Sequence, residues 1–155
     1  MITSVNTTAL TVSDMKRSVA FYCDLFGFKV VVELPPPAER QRWDQYHEEV
    51  CGIKGAQILV NYLEAPDGKS SLELIEYLKP KKVAPSRRSI EEPGVTIVPF
   101  GVKDSKYAVK KLREAGVEVL FDPVPYETDD DVRSFTTYLY DPDGNAICLF
   151  EILED

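Results

Sequence analysis

The stretch "TALTVSDMKRSVAFYCDLFGFKVV" (residues 8–31) returns in altered form as "VPFGVKDSKYAVKKLREAGVEVL" (residues 98–120). In both copies an apolar strand ends in Val-x-Asp. Asp14 and Asp104 stand where a side-chain carboxylate can accept the free amides of a helix's first turn. The repeat therefore predicts two copies of one folding unit, each beginning with a strand and a capped helix.

Helices are predicted over residues 15–26 and 105–115, because apolar residues recur there at helical spacing. A glycine just past each helix can adopt the left-handed conformation that ends many helices. A second apolar strand follows each glycine and includes Val30 in the first copy and Val119 in the second. Each copy therefore starts with a strand, a helix and a strand.

The two copies also end alike. "SSLELIEYL" (70–78) and "NAICLFEIL" (145–153) are apolar strands that follow the turn sequences "APDGKS" and "DPDGN". A further strand is predicted before each turn, at 55–63 in the first copy and 133–140 in the second. Each half is thus predicted to have the order βαβββ.

The halves are predicted to form one domain over residues 1–155, with modules 1–80 and 93–155 joined by a linker at 81–92 that is rich in proline and charge. Two long polar segments, 34–49 and 122–131, are predicted to be loops. Loops of this length often border functional sites.

The composition narrows the classes of partner. The chain of 155 residues has a formal net charge of −8, which argues against nucleic acid or an anionic membrane as its partner. Its three cysteines are widely spaced and form no CxxC motif, so we expect a reducing, cytoplasmic location and no disulfide framework. The N-terminal segment does not have the pattern of a secretory signal peptide, and no apolar run suits a membrane helix.

With these elements in order, the chain resembles the vicinal oxygen chelate superfamily, which includes glyoxalase I, extradiol dioxygenases and bleomycin-resistance proteins. The segments that carry the resemblance are "ALTVSDMKRSVAFYCDLFGFKVV", "SLELIEYL" and "YDPDGNAICLFE". The resemblance implies an α+β fold in which two tandem βαβββ modules form a cup-shaped, mostly antiparallel sheet. It also implies a small-molecule ligand or substrate and a homodimer.

In metal-dependent members of this superfamily, four side chains from both modules hold one metal ion. The resemblance places these ligand positions at Thr7, Glu73, Ile97 and Cys148, and Glu73 alone keeps a family ligand type. Isoleucine has no donor atom, and neither first strand contains a histidine. We therefore expect no metal ligands and no cofactor.

Three side chains are candidates for chemistry. Glu73 is flanked by leucines and could act as a general acid or base in an apolar cup. Cys148 could be a nucleophile or contact a ligand, or it could be a small buried apolar residue. His47, the only histidine, lies in a predicted loop and could be a base or a loop anchor. The residues predicted to line the ligand site are Thr7, Thr11, Glu73, Ile75, Tyr77, Ile97, Pro99, Cys148 and Phe150.

Two functions follow from the resemblance. In the first, the protein binds a small apolar or aromatic molecule without a metal, as a protein that sequesters a drug or natural product would. In the second, it is an isomerase, epimerase, cyclase or lyase that uses Glu73 for proton transfer. A metal-dependent glyoxalase or dioxygenase is the least favoured function, because three of the four ligand positions are changed.

Overall fold

A computed structural model of the chain describes residue 3 and residues 7–82, 87–128 and 132–153. The chain divides into two compact units, Met1–Pro85 and Ser86–Asp155. Part of the predicted linker, residues 83–86, lies outside the described residues, as do residues 129–131 of the second predicted loop. Within the described residues, no helix has the length and apolar character needed to cross a membrane.

The first unit is a four-stranded mixed sheet with two helices among its described residues. Its strand order is β1-β4-β3-β2, in which β1 runs parallel to β4 and the other neighbours are antiparallel. The elements are β1 (Thr8–Val12), α1 (Met15–Phe26), β2 (Lys29–Leu34), α2 (Arg40–Cys51), β3 (Gln57–Glu64) and β4 (Ser71–Lys79).

The second unit repeats this arrangement in the order β5-β8-β7-β6, and β5 runs parallel to β8. The elements are β5 (Ile97–Gly101), α3 (Ser105–Glu114), β6 (Val124–Glu127), β7 (Val132–Tyr140) and β8 (Ala146–Ile152). The α+β class and the two tandem modules are therefore confirmed, with α2 as an insertion into the first.

The capping aspartates behave as the sequence predicts. Asp14 has φ −148° and ψ 105°, and its carboxylate accepts the amide of Arg17. Asp104 has φ −148° and ψ 98°, and its carboxylate accepts the amide of Tyr107. This is the usual geometry of a helix N-cap, and α1 and α3 begin at the residue after each cap.

A second carboxylate fixes the start of each of these helices to the last strand of its own module. Glu76 on β4 accepts the amide of Met15 at 2.8 Å, and Glu151 on β8 accepts the amide of Ser105 at 2.8 Å. Each therefore accepts one of the first-turn amides that a helix cannot satisfy itself. Each helix start is thus held by two carboxylates: the neighbouring capping aspartate and a glutamate on the last strand of the module.

The prediction of a loop at residues 34–49 is wrong. This segment contains a 3-10 turn at Pro37–Glu39 and most of α2, so His47 lies on a helix. The α2 N-cap, Glu39, makes no side-chain capping bond, so the usual local start signal is missing. Packing on β3 stabilises the helix instead, because Trp43 Nε1 donates to the carbonyl of Ile58 at 3.1 Å.

The second strand of the second module is also displaced from its predicted position. Val119 forms only an isolated bridge with Leu139, and the paired strand is β6, inside the segment predicted to be a loop. This strand includes Pro125, which cannot donate to a neighbouring strand. An edge position tolerates it, because β6 has one neighbour, β7.

Each sheet has one face covered by the helix of its module. On β4, Leu72 and Leu74 are buried and Glu76 contacts the start of α1. Side chains alternate along a strand, so Glu73 and Tyr77 lie on the opposite face, where they are half-buried. That opposite face carries the candidate site residues of the first module.

Candidate functional site

Glu73 is hydrogen-bonded to Tyr62, a residue that the sequence analysis did not select. The two residues stand directly opposite each other in the antiparallel β3–β4 pair. Burial, the charge of Glu73 and the hydrogen bond to Glu73 all raise the pKa of Tyr62. The Tyr62 phenol therefore stays protonated and donates to the carboxylate.

Helix α2 carries three further rings, and one of them lies near this pair. Tyr46 also raises the pKa of Tyr62, by a smaller amount than Glu73 does, so the two phenols lie within electrostatic reach. The His47 ring lies 4.1 Å from the Trp43 ring and 4.8 Å from the Tyr46 ring, between centroids. The inserted helix thus adds an aromatic wall beside β3.

His47 is oriented by its own helix. Its Nδ1 lies 3.0 Å from the carbonyl oxygen of Trp43, which can only accept, so Nδ1 carries a proton. In the neutral ring, Nε2 then holds the lone pair. No hydrogen bond or ion pair joins His47 to Glu73 within the described part of the chain, and a catalytic role for His47 stays a prediction.

The other predicted site residues of this module lie near Glu73. Ile75 and Tyr77 share its face of β4, and Thr11 is paired with Ile75 across the parallel β1–β4 ladder. Thr7 lies just before β1, and its hydroxyl donates to the carbonyl of Ser71 at 2.9 Å. Thr7 therefore contributes a hydroxyl that already bonds the backbone.

The second module repeats this pairing with a different acceptor. Cys148 on β8 stands opposite Tyr138 on β7, as Glu73 stands opposite Tyr62. Burial raises the pKa of the Cys148 thiol, and a hydrogen bond with the Tyr138 side chain partly opposes that increase. Cys148 is 8% exposed, so the site contains a buried thiol that favours its protonated form.

The remaining predicted residues of the second module surround Cys148 on the sheet. Pro99 is paired with Cys148 across the parallel β5–β8 ladder, and Ile97 is paired with Ala146. Phe150 shares the Cys148 face of β8 and is 37% exposed. The ligand-binding role of these residues stays a prediction.

The four positions at which the resemblance predicts metal ligands do not together supply the donors that a catalytic metal ion needs. Thr7 bonds the backbone, Ile97 has no donor and the Cys148 thiol favours its protonated form, so Glu73 is the one strong donor. In the described ranges, no group of three or more His, Cys, Asp or Glu side chains is arranged to hold a metal. In each module, one of the predicted ligand positions holds a side chain that is bonded to a tyrosine, Glu73 to Tyr62 and Cys148 to Tyr138.

The linker arginines contact the second module. The Arg87 guanidinium lies 4.3 Å from the centre of the Tyr140 ring and forms a 2.8 Å ion pair with Glu118. Arg88 pairs with Glu92 and donates to the carbonyl of Pro93. Both side chains thus have partners on the surface of their own unit.

Comparison with known proteins gives one family match. The model of the Glyoxalase/Bleomycin resistance protein/Dioxygenase superfamily matches residues 4–149. A curated relative from Bacillus subtilis (strain 168), the uncharacterized protein YwkD, is 28% identical over 152 residues, which is 97% of this chain and 98% of that protein.

Solved structures share the fold at low sequence identity. A glyoxalase family protein from Bacillus cereus matches with a TM-score of 0.82 and 22% identity, over 99% of this chain and 97% of that one. TnmS3, an antibiotic binding protein from Streptomyces sp. CB03234, matches with a TM-score of 0.60 and 20% identity, over 98% of both chains. These likenesses show the fold, and the site residues must distinguish between functions.

Proposed function

Because this chain belongs to the Glyoxalase/Bleomycin resistance protein/Dioxygenase superfamily, we propose that it binds a small apolar or aromatic molecule without a metal ion. The observation that carries the proposal is the state of the family ligand positions. Glu73 is bonded by Tyr62, and Cys148 is a buried thiol bonded by Tyr138. A face built from apolar residues and tyrosines suits a planar ligand.

A sequestering role is consistent with this arrangement, and TnmS3 is a protein of the same fold that binds an antibiotic. Binding without chemistry needs shape, apolar surface and a few polar groups that orient the ligand. Ile75 and Tyr77 supply apolar surface beside Glu73, and Tyr62 supplies a phenol.

The test combines metal analysis with ligand binding. A panel of small aromatic compounds is titrated by calorimetry into protein before and after exhaustive chelation, and the metal content of both samples is measured. We expect the same affinities in both samples. Affinity that disappears on chelation and returns with zinc, nickel or iron would contradict metal-independent binding.

The second candidate function is proton-transfer catalysis, and the Glu73–Tyr62 hydrogen bond favours it specifically. A carboxylate can accept a proton from carbon or oxygen, and the hydrogen bond from the phenol holds it in one orientation for that step. An isomerase, epimerase, cyclase or lyase could use Glu73 in this way. His47 Nε2 is a weaker candidate, since Tyr46 links it to the pair only indirectly.

Substitution of Glu73 separates the two functions. Glu73→Gln keeps the size and an acceptor oxygen but removes the base, so an enzyme would lose turnover while keeping its ligand affinity. Glu64→Gln, at the exposed end of β3, is the matched control for the loss of one negative charge. Unchanged turnover in Glu73→Gln would rule out the acid/base function.

We also propose that the protein is a homodimer. Tyr126 and Val124 on the edge strand β6 are 65% and 53% exposed, and large apolar side chains at an edge favour association. Light scattering coupled to size exclusion measures the mass. A mass that equals one chain across the micromolar range would contradict the proposal.

A further inference from the structure

Glu73 differs in its partner from Glu76 and Asp44, two other carboxylates of the first module that are at least partly buried. Glu76 pairs with Lys81 at 2.7 Å, and Asp44 pairs with Arg40 at 3.0 Å. Glu73 is half-buried, and its bond is with the neutral phenol of Tyr62. Across the part of the chain that the structure describes, no ion pair compensates its charge. A half-buried carboxylate with no cation beside it favours a cationic partner.

The Tyr62 bond leaves Glu73 with unused acceptor capacity. An ionised carboxylate has two oxygens and can accept about four hydrogen bonds. One phenol donor occupies one of these sites. The phenol also restricts the carboxylate in position, because Tyr62 itself is held in the middle of β3 between β2 and β4. Glu73 is therefore a positioned acceptor for a donor that comes from outside the chain.

The rings near Glu73 favour a donor that carries positive charge. Tyr62 is its hydrogen-bond partner, Tyr46 lies within electrostatic reach of Tyr62, and Tyr77 shares the Glu73 face of β4. The face of an aromatic ring attracts ammonium groups, and the attraction strengthens when water is excluded. The net charge of −8 adds a field that attracts cations and repels anions.

We propose that the first module recognises a small aromatic amine, with the ammonium group at Glu73 and the ring against Tyr62 and Tyr46. The inference rests on the proposed binding function and adds the charge of the ligand to it. Tyr138 and Cys148, the equivalent pair of the second module, contain no carboxylate and so offer no comparable site for a cation.

The test compares three probes that share one ring system. These are 1-naphthylmethylamine, 1-naphthalenemethanol and 1-naphthoic acid, which at pH 7 are cationic, neutral and anionic. Affinities are measured by calorimetry, and amide chemical shifts locate the site. We expect the amine to bind about ten-fold more tightly than the alcohol, and the acid to bind most weakly. Amide shifts should centre on β3, β4 and α2.

Variants then assign the preference to one side chain. Glu73→Gln should reduce the affinity for the amine to that for the alcohol, while the affinity for the alcohol stays unchanged. Glu64→Gln removes the same net charge from an exposed position and should keep the preference. Tyr62→Phe keeps the carboxylate and the ring but removes the phenol that positions Glu73, so the preference for the amine should become smaller without disappearing. Thermal unfolding of each variant confirms that it folds.

The outcomes separate the inference from the function on which it rests. Equal affinity of the wild-type protein for amine and alcohol would overturn the inference and leave the binding function standing. A preference that survives in Glu73→Gln would overturn the assignment to Glu73. Failure of all three probes to bind at millimolar concentration would contradict both. The wild-type comparison holds even if a variant does not fold.

Discussion

The two modules are alike in the contacts that place their helices and differ in the side chains of the predicted ligand site. Asp14 and Asp104 cap their helices with nearly the same backbone angles, and Glu76 and Glu151 bind the first helical amides at the same distance. The side chain opposite the β3 or β7 tyrosine, in contrast, is a carboxylate in one module and a thiol in the other. The two copies of the repeat thus share the carboxylates that position α1 and α3, and they differ in the side chain that stands opposite the tyrosine.

The largest expected effect tests whether Glu76 and Glu151, which bind the starts of α1 and α3, contribute equally to stability. Glu76→Ala should destabilise the protein by about 3 kcal/mol, because the amide of Met15 and the Lys81 ammonium both lose their acceptor. Glu151→Ala should cost about 2 kcal/mol, because Glu151 is less buried and its donors, both on Ser105, are neutral. Urea denaturation measures both.

The control for this pair is Glu76→Gln, which keeps an oxygen for the amide of Met15 and should cost less than Glu76→Ala. A loss below about 1 kcal/mol in Glu76→Ala would mean that water replaces the carboxylate and that the contact does not hold α1 on the sheet.

The next largest effect is the loss of stability when the glycine in the turn before the last strand of each module is replaced by alanine. Gly68 and Gly144 have φ of +66° and +85°, so alanine at either position should cost about 1–2 kcal/mol in backbone strain. A Cβ on Gly144 would meet Arg87 atoms at 3.5–3.6 Å, which is ordinary contact, and a Cβ on Gly68 would meet nothing within 4 Å. The two substitutions should therefore lower the free energy of unfolding by the same amount. A much larger decrease for Gly144→Ala would show that the Arg87 side chain cannot move away from the added Cβ.

A smaller effect is expected at the helix caps. Asp14→Ala and Asp104→Ala should each lower the free energy of unfolding by about 1 kcal/mol, since each removes one side-chain acceptor from a first-turn amide. Asp→Asn at the same positions should recover most of the loss. If the two decreases in the free energy of unfolding differ by more than the experimental error, the two caps do not stabilise their helices equally.

The smallest effect concerns the thiol that replaces the carboxylate. Tyr138→Phe should raise the pKa of Cys148 further, because the Tyr138 bond lowers it while burial, the larger cause, stays. The alkylation of Cys148 by iodoacetamide, followed by mass spectrometry, should then rise with pH at a higher midpoint than in the wild-type protein. A midpoint that moves to lower pH would show that Tyr138 does not donate to the sulfur.

The sequence predicted the helices α1 and α3 and the last strand of each module because their signals are local. A capping aspartate, apolar residues at helical spacing and a proline-glycine turn each act within a few residues. The internal repeat confirmed each signal by showing it twice. The helix boundaries differ from the prediction by one residue, at Glu114.

The missed features depend on contacts between distant residues. Helix α2 lacks a capping side chain and gains its stability on β3, so local patterns could not identify it. Tyr62 and Tyr138 became visible only with the strand register, which sets them opposite Glu73 and Cys148. One sequence feature could have found them, because each is followed by leucine near the end of the third strand of its module.

The bond from Trp43 to the carbonyl of Ile58 provides a built-in optical probe. Trp43 is the only tryptophan in the chain, so its emission can be assigned without mutagenesis. Its indole sits between α2 and β3, and the His47 ring lies against it at 4.1 Å. Any molecule that enters beside Tyr46 should change the polarity that the indole senses. Unlabelled protein at low concentration could then be screened against whole libraries of compounds.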